Sequence, residues 1–315
     1  MQSATSSATR SSLVIGTRGS PLALAQANQV RGRLAAAHAL DADAITLEVI
    51  RTTGDRIHDR PLTEAGGKGL FTKEIEEALI AGAIDLAVHS AKDMPTILPP
   101  GLRIAGVLER EDARDVFISR KAKTLGELPR GARVGTASLR RQASVKQLRP
   151  DLIVVPMRGN VETRLRKLDE GIVDATLLAF AGLKRLGLAG KATAVLAIDE
   201  FLPAVGQGII AVEARGDDAR VLPYLAGLND TASANALAAE RAYLAVLDGS
   251  CRTPIAGHAV IHAGRLHFRG LIAKPDGSRY FETEREGSTA EAVLLGADAG
   301  RELRERAGPD FFLPG

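Results

Sequence analysis

One cysteine occurs among 315 residues, Cys251, and it stands in "AVLDGSCRTPIAG" (residues 245–257) between small and polar neighbours. An inert cysteine is usually buried among apolar side chains. A thiol in a Gly-Ser-Cys turn is reachable and can act as a nucleophile, its thiolate being the reactive form. A second candidate is Asp93 in "HSAKDMP", directly after Lys92 and two residues before Pro95. A carboxylate at a strand end that runs into proline either caps a turn or faces a crevice, where it can oppose a cationic intermediate or move a proton. Cations recur at similar places: Arg18, Lys68, Lys92, Arg140, Arg141, Arg158, Arg164 and Arg185 follow strand ends, open helices or lie in a Gly-rich loop. A solvated surface explains any one of them. The set points to a strongly anionic ligand, because arginine holds carboxylate or phosphate bidentately.

The elements that must position these groups follow from periodicity and caps. "LVIGT" (13–17) is a short apolar strand, and Ser20 followed by Pro21 opens a helix that runs to about residue 40. Residues 44–52 alternate as a strand, 56–69 form a Pro- and Gly-containing loop, 70–82 a helix, and 83–90 the strand that delivers Asp93. The pattern then repeats, with a strand at 132–136, Ser138 as cap, a helix from 139, a strand at 151–157, a helix at 161–171 and a strand at 174–180. Both strand–Gly–Thr–Ser–helix junctions, at 15–24 and 134–142, present free amides and a positive dipole end to an anion. Such alternation predicts two α/β domains with mainly parallel sheets, whose ligands lie beyond the carboxyl ends of the strands. A long helix (231–249), three antiparallel strands within 256–287 and a closing helix (289–308) predict a small C-terminal α+β domain. Cys251 lies on the loop into its sheet.

Composition excludes several classes. The chain is 45% hydrophobic and 25% charged, as ordinary globular proteins are, and is longer than one core usually holds. Lys+Arg number 41 against 38 Asp+Glu, and with no Trp and three Tyr the basic stretches lack stacking aromatics, which argues against nucleic acid. A lone cysteine excludes an internal disulfide and fits a reducing, cytoplasmic setting. The opening "MQSATSSATRSS" has no apolar core and reads as a disordered tail, and no apolar run is long enough to span a membrane. His258 and His262 would lie roughly 13 Å apart on one strand face, with His267 beyond the turn, so no metal site is expected.

The stretches "GTRGSPLALAQ", "GGKGLFTKEIE", "DLAVHSAKDMP", "EREDARDVF", "GTASLRRQA", "MRGNVETRLRKLDEG", "AGLKRLG", "LPAVGQG" and "GSCRTPIAG" run in order from residue 16 to residue 257. In these the chain closely resembles the hydroxymethylbilane synthase family, also called porphobilinogen deaminases. The resemblance implies a transferase that condenses four porphobilinogen molecules head to tail, releasing ammonia and giving linear hydroxymethylbilane for porphyrin biosynthesis. It implies a dipyrromethane cofactor on a thioether to Cys251, held by Ser90, Lys92, Asp93, Thr136, Ser138, Arg140, Arg141, Arg158 and Gly159. Incoming substrate would meet Arg18, Ser20, Gln26, Lys68, Arg158, Arg164, Arg185 and Gln207, with Asp55 in support. Asp93 would be the catalytic carboxylate, placed against the pyrrole nitrogens.

The same resemblance implies two periplasmic-binding-protein-like α/β domains, 12–108 with a return segment 209–230 and then 109–208, followed by a third at 231–315 and preceded by a tail at 1–11. It also implies a monomer that passes its product to uroporphyrinogen-III synthase. Glu64 departs from the family at a position where relatives often carry Lys, and Ser250, Ala137 and Ala91 are small replacements. On this reading Arg141→Leu empties a ligand contact while the apo-protein keeps its thermal stability. The rival is a two-domain anion-binding solute receptor or sensor without catalysis. It explains the duplicated pattern and the arginines, but not Cys251, Asp93 or the third domain, and a covalent pyrrole adduct separates the two.

Overall fold

Short apolar strands, most with a helix start close behind, build the first two thirds of the chain. The computed structural model describes residues 13–56, 69–247 and 253–312, so Glu64, Lys68, Ser250 and Cys251 lie outside the described residues. Strand β1 (Leu13–Thr17) leads to Ser20, whose hydroxyl accepts from the Ala23 amide, and Pro21 opens helix α1 (Pro21–His38). Next come β2 (Ile45–Val49), α2 (Thr53–Arg56), α3 (Lys73–Ile80), β3 (Leu86–Ser90) and β4 (Leu102–Val107). The second run is β5 (Asp115–Ser119), β6 (Arg133–Gly135), α4 (Leu139–Leu148), β7 (Ile153–Val155), α5 (Val161–Asp169), β8 (Ala175–Ala179), α6 (Phe180–Arg185) and β9 (Ala194–Val195). Then follow β10 (Ile210–Arg215), α7 (Leu222–Ala226), α8 (Thr231–Val246), β11 (Ile255–His262), β12 (Arg265–Ala273), β13 (Tyr280–Ser288) and α9 (Ala292–Ala307).

Two five-stranded sheets share one plan, β2-β1-β3-β10-β4 and β7-β6-β8-β5-β9. The alternation of strands and helices predicts mainly parallel sheets, and in each sheet four of the five strands run the same way with one reversed among them. Strand β1 is parallel to β2 and β3, whereas β10 is antiparallel to β3 and β4. Likewise β6 is parallel to β7 and β8, and β5 is antiparallel to β8 and β9. The cause is the chain path. Each sheet receives one strand from a segment that crosses over from the other, and that strand runs against its neighbours.

Helices α1 and α7 cover one face of the first sheet through Val30, Leu34 and Leu225 against Ile15, Val88 and Val212. The C-terminal unit is a three-stranded antiparallel sheet, β11-β12-β13, packed on α8 and α9 around Tyr243, Phe268 and Leu303. That sheet also seats α4. Ala143 of α4 packs with Leu202, Ala256, Leu271 and Ala273, and Gln142 donates to the Pro275 carbonyl at 3.1 Å. The β12–β13 turn approaches α4 so closely that a Cβ on Gly277, where φ is 74°, would lie 2.7 Å from the Gln147 nitrogen. Gly264, in the β11–β12 turn at φ 76°, would meet nothing within 4 Å. Gly264→Ala is therefore expected to lose about 1–2 kcal/mol for its left-handed backbone alone. Gly277→Ala should lose roughly 1–3 kcal/mol more for overpacking. Equal urea midpoints for the two variants would show that the turn does not bear on α4.

Candidate active site

Asp115 opens β5, an apolar strand, and is wholly buried. Two consecutive residues in the first turn of α4 reach it. Arg140 donates from Nη2 to Oδ2 at 2.7 Å, and Arg141 donates from Nη2 and Nε to Oδ1 at 2.7 and 3.2 Å. Gln207 adds its Nε2 to the same Oδ1 at 2.9 Å. Burial alone would raise the Asp115 carboxyl, but Arg140, Arg141 and these hydrogen bonds hold it far below the usual carboxylate range. The remaining guanidinium contacts are to backbone, Arg140 to the Leu202 carbonyl at 2.8 Å and Arg141 to that of Leu177 at 3.0 Å. The Arg140 Nε is buried without a partner.

Gln207 carries the network across to the first sheet, its Oε1 accepting from Lys92 Nζ at 3.4 Å. Lys92 and Asp93 lie on a short turn (Ala91–Asp93) beyond β3, their side chains open to solvent while Ala91 and Met94 are buried. Although solvent reaches it, the surrounding protein brings the Lys92 ammonium down to about 8; Asp93 opposes the shift and Arg141 adds to it. Arg164, one turn into α5, donates from Nε to the Gly159 carbonyl at 2.9 Å. Burial, with Arg141 and Arg158 nearby, lowers its guanidinium to about 10 against the pull of Asp93. Lys92, Asp93, Arg140, Arg141, Arg158 and Arg164 thus lie within electrostatic reach of one another. Gly159 permits the Arg158 turn, because at φ 119° a Cβ there would come 2.6 Å from Thr163 Cγ2.

The other expected residues have defined places. Ser138 caps α4, accepting from the Arg141 amide at 3.4 Å, and its own amide donates to Thr136 Oγ1 at 3.1 Å. Buried Gln26 donates to Ser90 Oγ at 2.8 Å. Arg18 ion-pairs with Asp55 and lies 4.2 Å from the Phe71 ring centroid, while Ser20 is engaged as the α1 cap. Arg185 donates to the Gly208 carbonyl at 2.7 Å, and its buried Nε has no partner. Burial lowers it to about 10, with Glu111 opposing. Lys68 and Cys251 lie outside the described residues.

Two matters differ from the sequence reading. Arg140 and Arg141 are each 5% exposed and bound to Asp115, so removing Arg141 takes two charge-assisted hydrogen bonds from buried Asp115 Oδ1 instead of merely emptying a ligand contact, while Arg140 keeps the carboxylate paired. Sequence reasoning also passed over Asp115, Arg110 and Glu240. Wholly buried Glu240 on α8 pairs with Arg110 at 2.5 Å and accepts from the Gly206 and Ala259 amides at 2.6 and 2.7 Å. The available signals were an Asp opening the apolar run "DVFIS" and a Glu in an Ala-rich helix, charges that must find partners once buried.

Desolvated cations opposed only in part by Asp93 and Asp115, and an unpartnered Nε on Arg140, fit a ligand with several carboxylates. Such a cluster, cations from two α/β sheets around a carboxylate, is chemically able to hold a polyanion. A family model described as porphobilinogen deaminase, dipyromethane cofactor binding domain, matches residues 13–223, and one described as the C-terminal domain of the same enzyme matches 234–305. The porphobilinogen deaminase of Nitrobacter hamburgensis is 62% identical over 298 residues, 95% of this chain and 94% of that protein. That of Paracoccus denitrificans is 57% identical over 95% of each. Among solved structures, the methionine-binding protein MetQ covers 70% of this chain and 90% of its own at 16% identity, with a TM-score of 0.45. The chain belongs to the porphobilinogen deaminase family.

Arg141→Leu should destabilise the apo-protein by about 1.5–3 kcal/mol in chemical denaturation, the worth of its hydrogen bonds to the Asp115 carboxylate that Arg140 still pairs. Because the Asp115 carboxyl is depressed on folding, its contribution is full above about pH 4 and fades as acid titrates it, so the deficit should shrink at low pH. An unchanged midpoint at neutral pH would contradict the pairing. Before any pyrrole is bound, amine-directed labelling of Lys92 should reach half its maximum near pH 8, against about 10.4 for an ordinary lysine. A profile at the ordinary value would contradict the lowering by the surrounding protein and by Arg141.

Proposed function

We propose that this chain, a transferase by family, joins porphobilinogen units head to tail with Asp93 as the catalytic carboxylate and the surrounding cations as holders of the pyrrole acetates and propionates. The observation that carries the reading is Asp93, a solvent-open carboxylate on the turn beyond β3, within electrostatic reach of Lys92 and Arg164. Each condensation breaks the aminomethyl C–N bond, releases ammonia, forms a C–C bond to the free α-carbon of the preceding pyrrole and removes that carbon's proton. Asp93 opposes the positive charge that develops as ammonia leaves and accepts hydrogen bonds from pyrrole N–H groups. A preorganised contact of this kind is worth about 3–4 kcal/mol. Bound through a thioether to Cys251, a dipyrromethane supplies the carbon on which the first unit is joined.

In this reading Ser90, Lys92, Thr136, Ser138, Arg140, Arg141, Arg158 and Gly159 frame the cofactor, and four of them bring charge to its carboxylates. Arg18, Ser20, Gln26, Lys68, Arg164, Arg185 and Gln207 meet arriving and growing pyrroles. Asp55 and Phe71 fix the Arg18 guanidinium, which supports its use as an oriented fork rather than a loose charge. We read the chain as domains 12–108 with 209–230, 109–208 and 231–315. A thiol that must stay reduced until it is alkylated favours a cytoplasmic setting, and we read the chain as a monomer that passes its linear product to uroporphyrinogen-III synthase.

Intact-protein mass and turnover test this together. Wild-type protein should exceed the bare chain by two linked pyrroles, and Cys251→Ser should lack the adduct. Asp93→Asn should keep the adduct while turnover drops about 100- to 1000-fold. Active wild-type protein at bare-chain mass would overturn the role of Cys251, and near-normal turnover in the Asn variant would overturn that of Asp93.

A further inference from the structure

The segment that carries Asp93 is gripped beyond its far end by a residue from the C-terminal unit. Arg241 on α8 donates through Nη2 to the Pro95 carbonyl at 2.9 Å and the Thr96 carbonyl at 2.8 Å. The near end of the same turn is fixed by the Ala91 amide on the Ile209 carbonyl at 3.0 Å. Glu240, adjacent to Arg241, holds the crossing at Gly206, one residue before Gln207. Two successive residues of one helix therefore tie down the chain leaving Asp93 and the crossing that brings Gln207 to Lys92. The same helix runs directly toward the Cys251 loop in sequence.

Arg241 is largely desolvated, which draws its guanidinium below the ordinary value, and Glu213 on β10 is the carboxylate that opposes this. Glu213 is wholly buried and lies 3.2 Å from His89 Nε2 on β3, the strand that leads to Asp93. Arg241 also lines a groove of about 620 Å³, together with Arg103, Ile104, Leu222 and Leu237. A small cation can reach the space that a truncated side chain would leave there.

We propose that Arg241 is a positioning residue for the condensation, fixing the Pro95–Thr96 backbone from α8 and so setting Asp93 against the pyrroles held on Cys251. The inference rests on Asp93 being the catalytic carboxylate. It does not place Arg241 in contact with substrate. Its effect passes through two backbone carbonyls, and a displacement on the order of 1 Å at a reacting group costs about 100-fold in rate.

The test uses cofactor-loaded enzyme, its loading verified by intact mass, with Arg241→Ala and Arg241→Lys beside Asp93→Asn. Arg241→Ala should lower kcat about 100-fold with KM little changed, and should speed amide hydrogen exchange at residues 96–98. Guanidinium at sub-denaturing concentration should restore kcat, whereas ammonium at equal ionic strength should not. The Lys variant should lie between, since it keeps the charge and loses the fork. A normal kcat, or a loss that guanidinium does not relieve, overturns the proposal. Should the Ala variant fail to fold, the Lys variant decides by itself, and unchanged exchange and kcat there overturn it. Normal turnover in Asp93→Asn sinks the reading of Asp93 instead, while a crippled Asp93→Asn beside a normal Arg241→Ala sinks only the positioning role.

Discussion

The site depends on one buried carboxylate facing two consecutive arginines. Arg140 and Arg141 occupy the first turn of α4, where the helix dipole is positive and cations are disfavoured. Asp115 meets both, and Gln207 completes its shell. One negative charge against two positive ones leaves a surplus, and Lys92 and Arg164 add to it from other elements. Desolvated cations without full compensation are costly in an empty cleft and become favourable when carboxylates arrive.

The chain path makes that arrangement possible. Asp115 starts the strand that follows the first crossing, and Gln207 closely precedes the strand that follows the return. Residues at two crossings therefore join a turn of the first sheet to a helix of the second. The C-terminal unit braces both sides. Its sheet seats α4 through Leu271 and Ala273, and its helix α8 holds Gly206 through Glu240 and Pro95 through Arg241.

Much of this was legible in sequence because its signals are local. Ser20 with Pro21, and Ser138 before "LRRQ", announce helix starts, and both serines do cap. The turns at Ala263-Gly264 and "PDG" mark the C-terminal hairpins, and the register of β11, β12 and β13 follows them. Strands β4, β5 and β9 escaped notice, and the return strand β10 was implied only by the resemblance, because a single reversed strand brought in from a distant segment leaves no local periodicity. The cations were recognisable at strand ends, but Asp115 was not recognisable as the partner of two of them. Arg241 reads in sequence as one more charge on an Ala-rich helix. Only the approach of Pro95 and Thr96 gives it a task.

The most direct measurement is a crystal structure of the enzyme carrying its covalent pyrroles. The Asp93 carboxylate is expected within about 2.6–3.2 Å of a pyrrole nitrogen. The pyrrole carboxylates are expected on Lys92, Arg158, Arg164 and the Arg140 N–H groups that Asp115 leaves free, with the Asp115 pairing unchanged. Pyrroles lying away from Asp93, or an Asp115 released from Arg140 and Arg141 once they are bound, would contradict it.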